Sequence, residues 1–322
     1  MTSPVSGTPR PSVPPVVVGA LLGIAGAVLG LLPWLVSGMP LPLQNLWAVD
    51  TMPADMPLAL LPFNQYLVSQ LAAVLVVGGA VAGLAARPLS ARLGGRGFLA
   101  VPAGLLLVQA VAVVQTAAVV GGGLQERRES SLYLGLLVAL SIFAVLVGVA
   151  ALWLIARAPR AGALVGLGIG ALMLAPWLQA PAAFGTLATD AGMIVYTLGR
   201  WVPAVLVGVA IAWAGIGTVG RAVAAFTVLL ALWLVPALII GVTSAAGTRI
   251  LARDPAGMLE YGFGVFRLAA TSPALVLGPV VAAIAVAALG LVVRSLRVTA
   301  LPRSQATGEP GLEPAEELGP RP

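Results

Sequence analysis

The sequence contains no cysteine and no histidine. Disulfides, thiolate nucleophiles, iron–sulfur clusters and the common zinc ligands are excluded together. The side chain that most often carries protons near neutral pH is missing too. Lysine is also absent, so all 17 basic residues are arginine. Charged residues make up only 9% of the chain, against roughly 25% in a soluble domain. No glycine-rich phosphate loop occurs, so any coupling to ATP has to come from a partner subunit such as a cytoplasmic ATPase. No pattern calls for a catalytic residue, a metal or a cofactor, and the expectation is a protein that is not an enzyme.

What is present is apolar. Apolar residues account for 60% of the 322 positions, and the mean hydropathy is +1.05. A surface this apolar fits a lipid bilayer as its solvent and not water. The formal charge of +6 does not indicate nucleic acid. The arginines stand singly near the ends of apolar runs, whereas a nucleic-acid groove needs clustered cations interleaved with stacking aromatics.

The expected fold class is therefore all-α, a polytopic transmembrane helical bundle. Eight apolar spans, each near the roughly 20 residues needed to cross the hydrocarbon core, fall at 15–37, 65–86, 98–120, 132–156, 161–180, 201–219, 222–243 and 273–293. The sixth and seventh are divided only by Gly220 and Arg221. Residues 1–14 and 302–322 are rich in proline and polar groups and are expected to be disordered tails. Counting arginines on alternate loops gives eleven on the side of the two tails and six on the other. The richer side is expected to be cytoplasmic, placing both termini inside, in a bacterial cytoplasmic membrane.

The two halves resemble each other. Residues 19–35 overlie 162–178 with nine identities, including the pairs Pro33-Trp34 and Pro176-Trp177. The same offset aligns Leu132, Leu134, Gly135, Val138 and Ala139 with Leu275, Leu277, Gly278, Val281 and Ala282. Residues 15–156 and 161–301 thus read as two tandem four-helix repeats in parallel orientation. The second carries a longer outer loop at 244–272. In that loop Asp254-Pro255 is a helix start, and the apolar residues after it suggest a short helix lying in the outer interface.

Three features are candidate sites. Asn64, Gln70, Gln109 and Gln115, with Thr116, are polar groups in or near the second and third spans. Such amides either line a pocket for a polar, uncharged substrate or bond neighbouring helices. Glycines four apart, such as Gly19/Gly23, Gly26/Gly30 and Gly79/Gly83, allow close helix packing or form a hinge. Pro33, Trp34, Pro176 and Trp177 either anchor helix ends at the interface or form a paired outer gate. No ionisable residue lies deep in any of the eight spans so drawn. Two functions remain open. One is a transport-type protein, either a carrier for a neutral or lipophilic compound or the membrane subunit of a larger transporter. The other is a non-catalytic scaffold of the cell envelope.

Overall fold

The computed structural model describes residues 13–187, 189–248 and 254–299. The two tails expected to be disordered lie outside these residues apart from positions 13 and 14, as do Arg249 and Arg253 in the longer loop. The described chain is all-helical: α1 (Pro15–Val36), α2 (Val68–Gly123), α3 (Arg128–Arg157), α4 (Arg160–Ala183), α5 (Thr189–Gly199), α6 (Val202–Ala214), α7 (Val219–Gly247), α8 (Pro255–Ala270) and α9 (Pro273–Thr299). One 3-10 turn, Pro53–Asp55, sits in the segment joining α1 to α2. Seven helical stretches are long and apolar enough to cross a membrane. The chain has the character of a multi-pass membrane protein.

The stretch α2 is two antiparallel helices joined at a kink. Its 56 residues would run about 84 Å if straight, far beyond a hydrocarbon core of roughly 30 Å. The chain reverses at Gly94, whose φ of 60° and ψ of −165° are non-helical. A side chain at that dihedral pair is strained, so glycine is required there. The two arms, 68–93 and 95–123, correspond to the second and third expected spans.

Helix α1 lies in the cleft between these arms, and its glycine stripe explains why. Gly19, Gly23, Gly26 and Gly30 share one buried face. A methyl at Gly19 or Gly23 would strike the carbonyls of Gly97 or Val101, on the second arm. A methyl at Gly26 would come within 2.8 Å of the Gly78 carbonyl, and one at Gly30 within 2.7 Å of Gly78 Cα, on the first arm. Absent side chains let backbones touch, which is how helices gain dispersion contacts in a solvent as apolar as they are. The same device joins α2 to α3, where Gly79 faces Gly148. These glycines serve as packing surfaces.

The connections define two faces. The cap face carries the 37–67 segment and the α2–α3 connection. The turn face carries Gly94, Pro159 and the Gly215–Thr218 turn. At the turn face arginines bond carbonyls near helix ends, which suits the negative C-terminal end of a helix. Arg87 donates to the Ile155 and Ala158 carbonyls, Arg157 to Gly94, and Arg294 to Ala212 and Trp213. Arg157 also stacks on Phe98, 4.1 Å from its ring centre.

Three expectations need revision. The sixth span does not start at 201 and run to 219. Its path comprises α5 and α6, giving a membrane-length stretch at Asp190–Ala214 that is interrupted at Arg200 and Trp201. The turn before the seventh span lies at Gly215–Thr218, while Gly220 and Arg221 belong to the first turn of α7. The short helix α8 starts as expected, with Asp254 accepting from the Gly257 N–H at 3.0 Å. It does not lie flat, however. Gly262 and Phe266 pack on Gly241 of α7, and Trp233 Nε1 donates to the Ala270 carbonyl at 2.8 Å. The glycine contact lets α8 run closely alongside α7, antiparallel to it.

Candidate functional site

Most of the amide cluster is bonded to backbone. Gln115 accepts from the Leu60 N–H at 2.9 Å and donates to the Leu58 carbonyl at 3.1 Å. Thr116 accepts from the Leu61 N–H at 2.9 Å. Asn64 donates to Leu43 and accepts from the Tyr66 N–H. These bonds hold the irregular 37–67 segment against the first half. Gln44 joins them, donating to the Phe63 carbonyl and accepting from the Tyr133 hydroxyl at 2.7 Å. The segment needs such partners because non-helical backbone near membrane depth must be satisfied internally. Gln109 bridges the arms of α2, donating to the Leu75 carbonyl at 2.8 Å, while its buried Oε1 has no partner.

The two Pro-Trp pairs occupy different settings. Trp34 is 1% exposed and donates to the Ala59 carbonyl at 2.8 Å. Its ring meets Phe184 edge-on at 4.8 Å. Trp177 donates to the Gly30 carbonyl of α1 at 2.7 Å. Both tryptophans therefore join the first helix of one half to that of the other, through unlike partners.

Gln70 lines a cavity that Asn64, Gln109 and Gln115 do not border. The cavity measures about 330 Å³ and lies mainly among the helices of the second half, with Ser69 and Gln70 of α2 closing one side. Its polar groups gather toward the cap face: Gln70, Gln179, Tyr196, Thr243 and Arg200. Gln70 Oε1 accepts from Ser69 Oγ. The Thr243 hydroxyl is turned back onto the Ile239 carbonyl of its own helix. Gln179 makes a long 3.5 Å contact to the Tyr196 carbonyl.

Four prolines wall this cavity, each from a different helix: Pro176 of α4, Pro203 of α6, Pro236 of α7 and Pro279 of α9. Pro203 stands in the first turn of α6, where its missing N–H costs nothing. The other three lie inside helices. Each removes the hydrogen bond to the carbonyl four residues earlier, which belongs to Leu172, Leu232 or Leu275. All three of those residues also line the cavity. The helices are thus weakened at the level of the opening.

Sequence reasoning missed Arg200. It sits in the break between α5 and α6, inside the span-length window Asp190–Ala214, and it lines the cavity. Its guanidinium lies 5.0 Å from the Trp201 ring centre. No carboxylate lines the cavity among the described residues.

A second opening of about 380 Å³ adjoins the first. It lies between α2 and α3 on one side and α4 and α7 on the other, lined by apolar side chains such as Val76, Phe143, Met173 and Leu238, with Ser69 and Thr243 at its edge. Ser69, Leu172, Val235, Ile239 and Thr243 border both openings. The two volumes fall in the range of roughly 300–1,000 Å³ usual for small-molecule sites. Comparison with protein-family models, with curated proteins and with solved structures finds no match for this chain.

Proposed function

We propose that this chain is a transport-type membrane protein, a carrier for a lipophilic compound, lying in a bacterial cytoplasmic membrane with the cap face outward. The observation that carries the proposal is the proline-walled cavity joined to an apolar groove between the two halves. A static scaffold has no need of a space where three helices lose a backbone hydrogen bond at one level. A carrier does, because alternating access requires helices to bend or rock around a fixed site. The interrupted path at Arg200 supports the same reading, since discontinuous helices are a common way to build a site at membrane depth.

Orientation and duplication belong to this proposal. Arginines at the turn face, including Arg87, Arg157 and Arg294, support a cytoplasmic turn face. Similar pairing in the two halves supports a tandem repeat. In the first, α1 packs on both arms of α2, and Gly79 of α2 meets Gly148 of α3. In the second, α4 packs on both α6 and α7, and Gly208 of α6 meets Ala283 of α9.

Spin labels offer a clean test because the chain has no native cysteine. One pair, Ser131→Cys with Ala246→Cys, reports across the groove at the cap face. Another, Ala91→Cys with Val219→Cys, reports at the turn face. The carrier reading expects two distance populations for each pair, differing by on the order of 5 Å. A single narrow population at both pairs would favour the scaffold.

A further inference from the structure

We infer that the two openings form one binding site for a lipid with an anionic headgroup. The headgroup lies against Arg200, Gln70, Gln179 and Tyr196, and an acyl chain lies in the groove between Phe143 and Leu238. The inference rests on reading these openings as a ligand site, and it names the ligand class.

Three observations lead there. First, the two openings share a wall but differ in chemistry. Among its mostly apolar lining the first carries Gln70, Gln179, Tyr196 and Arg200, while the other is apolar apart from Ser69 and Thr243 at its border. Only an amphiphile satisfies both at once. Second, the groove lies between membrane-length helices, and Phe143 and Leu238 along it are 65% and 52% exposed. Within a bilayer that exposure faces hydrocarbon, so acyl chains are the molecules with direct access. Third, Arg200 is the one ionic group lining the cavity among the described residues, and no described carboxylate lines it beside Arg200. The Arg200 side chain is exposed, and its flat fork of donors suits a phosphate or carboxylate. The first turn of α6 follows immediately, bringing the positive end of that helix to the same place through Pro203.

Photolabelling of the purified full chain in nanodiscs tests this. The probes are phosphatidylglycerol and phosphatidylcholine carrying the same diazirine acyl chain. The expected result is saturable labelling of α3 around Phe143 and of α7 around Leu238 by the phosphatidylglycerol probe. Arg200→Gln should weaken that labelling about tenfold and leave phosphatidylcholine labelling unchanged. Arg267→Gln, an exposed residue of α8 outside the site, should change neither. Leu238→Trp should exclude the chain from the groove with Arg200 still present, which keeps the test valid if Arg200→Gln fails to fold. Equal labelling by both probes, indifferent to Arg200→Gln, would overturn the headgroup assignment and leave the carrier reading to the distance measurements. Absence of groove labelling by either probe would overturn the lipid site itself. The two distance populations would separate that outcome from failure of the carrier reading.

Discussion

Gly23→Val should prevent α1 from seating between the arms of α2 and destabilise the protein by about 3 kcal/mol or more. The mechanism is backbone collision. Even a methyl at this position would overlap the Val101 carbonyl and come within 2.7 Å of the Leu105 nitrogen. Neither atom can rotate away as the end of a side chain can. The helices would have to separate, and every glycine contact along α1 would loosen with them. Gly135→Ala is the control, because a Cβ there meets nothing within 4 Å. Thermal melting in detergent should show a large drop for the first variant and almost none for the second. An unchanged melting temperature for Gly23→Val would mean that α1 does not pack in this cleft.

Trp34→Ala should cost about 3–5 kcal/mol. The side chain is buried, and its removal leaves a void between α1, the 37–67 segment and the end of α4. It also deprives the Ala59 carbonyl of its donor and breaks the edge-on contact with Phe184. Trp177→Phe should cost only about 1 kcal/mol, since it keeps most of the ring and forfeits one hydrogen bond to Gly30. The contrast matters because the sequence presents the two Pro-Trp pairs as equivalents. Melting of the two variants side by side checks it. Equal small losses would show that Trp34 does not hold the cap segment in place.

Much of the architecture was readable before any coordinates. Apolar runs of bilayer length mark helices reliably, and the reversal near Gly94 falls between the expected spans 65–86 and 98–120, where Arg87, Arg92 and Arg96 interrupt the apolar sequence. The glycine spacing on α1 already pointed to close packing. The site was less legible, for two physical reasons. An amide inside an apolar run has the same appearance whether it meets a ligand or a backbone. Gln115 and Asn64 turn out to satisfy the 37–67 segment, whose order depends on partners more than 50 residues away at Gln115 and Thr116. Arg200 was hidden for the opposite reason. A span drawn from 201 leaves it in a loop, and only the path of α5 and α6 brings it to the cavity. The four prolines are scattered through the sequence at 176, 203, 236 and 279, and nothing in their spacing reveals that they share one wall.

The central claim is that the proline-walled cavity opens to each side of the membrane in turn. Ala175 lines it, and the chain offers no other thiol, so Ala175→Cys can be probed with a membrane-impermeant maleimide in right-side-out and inside-out vesicles. Ser131→Cys marks the cap face and Val219→Cys the turn face, and each should react in one vesicle orientation only, Ser131→Cys from outside the cell. The account predicts that Ala175→Cys reacts from both sides. Reaction from one side alone, or from neither, would contradict it.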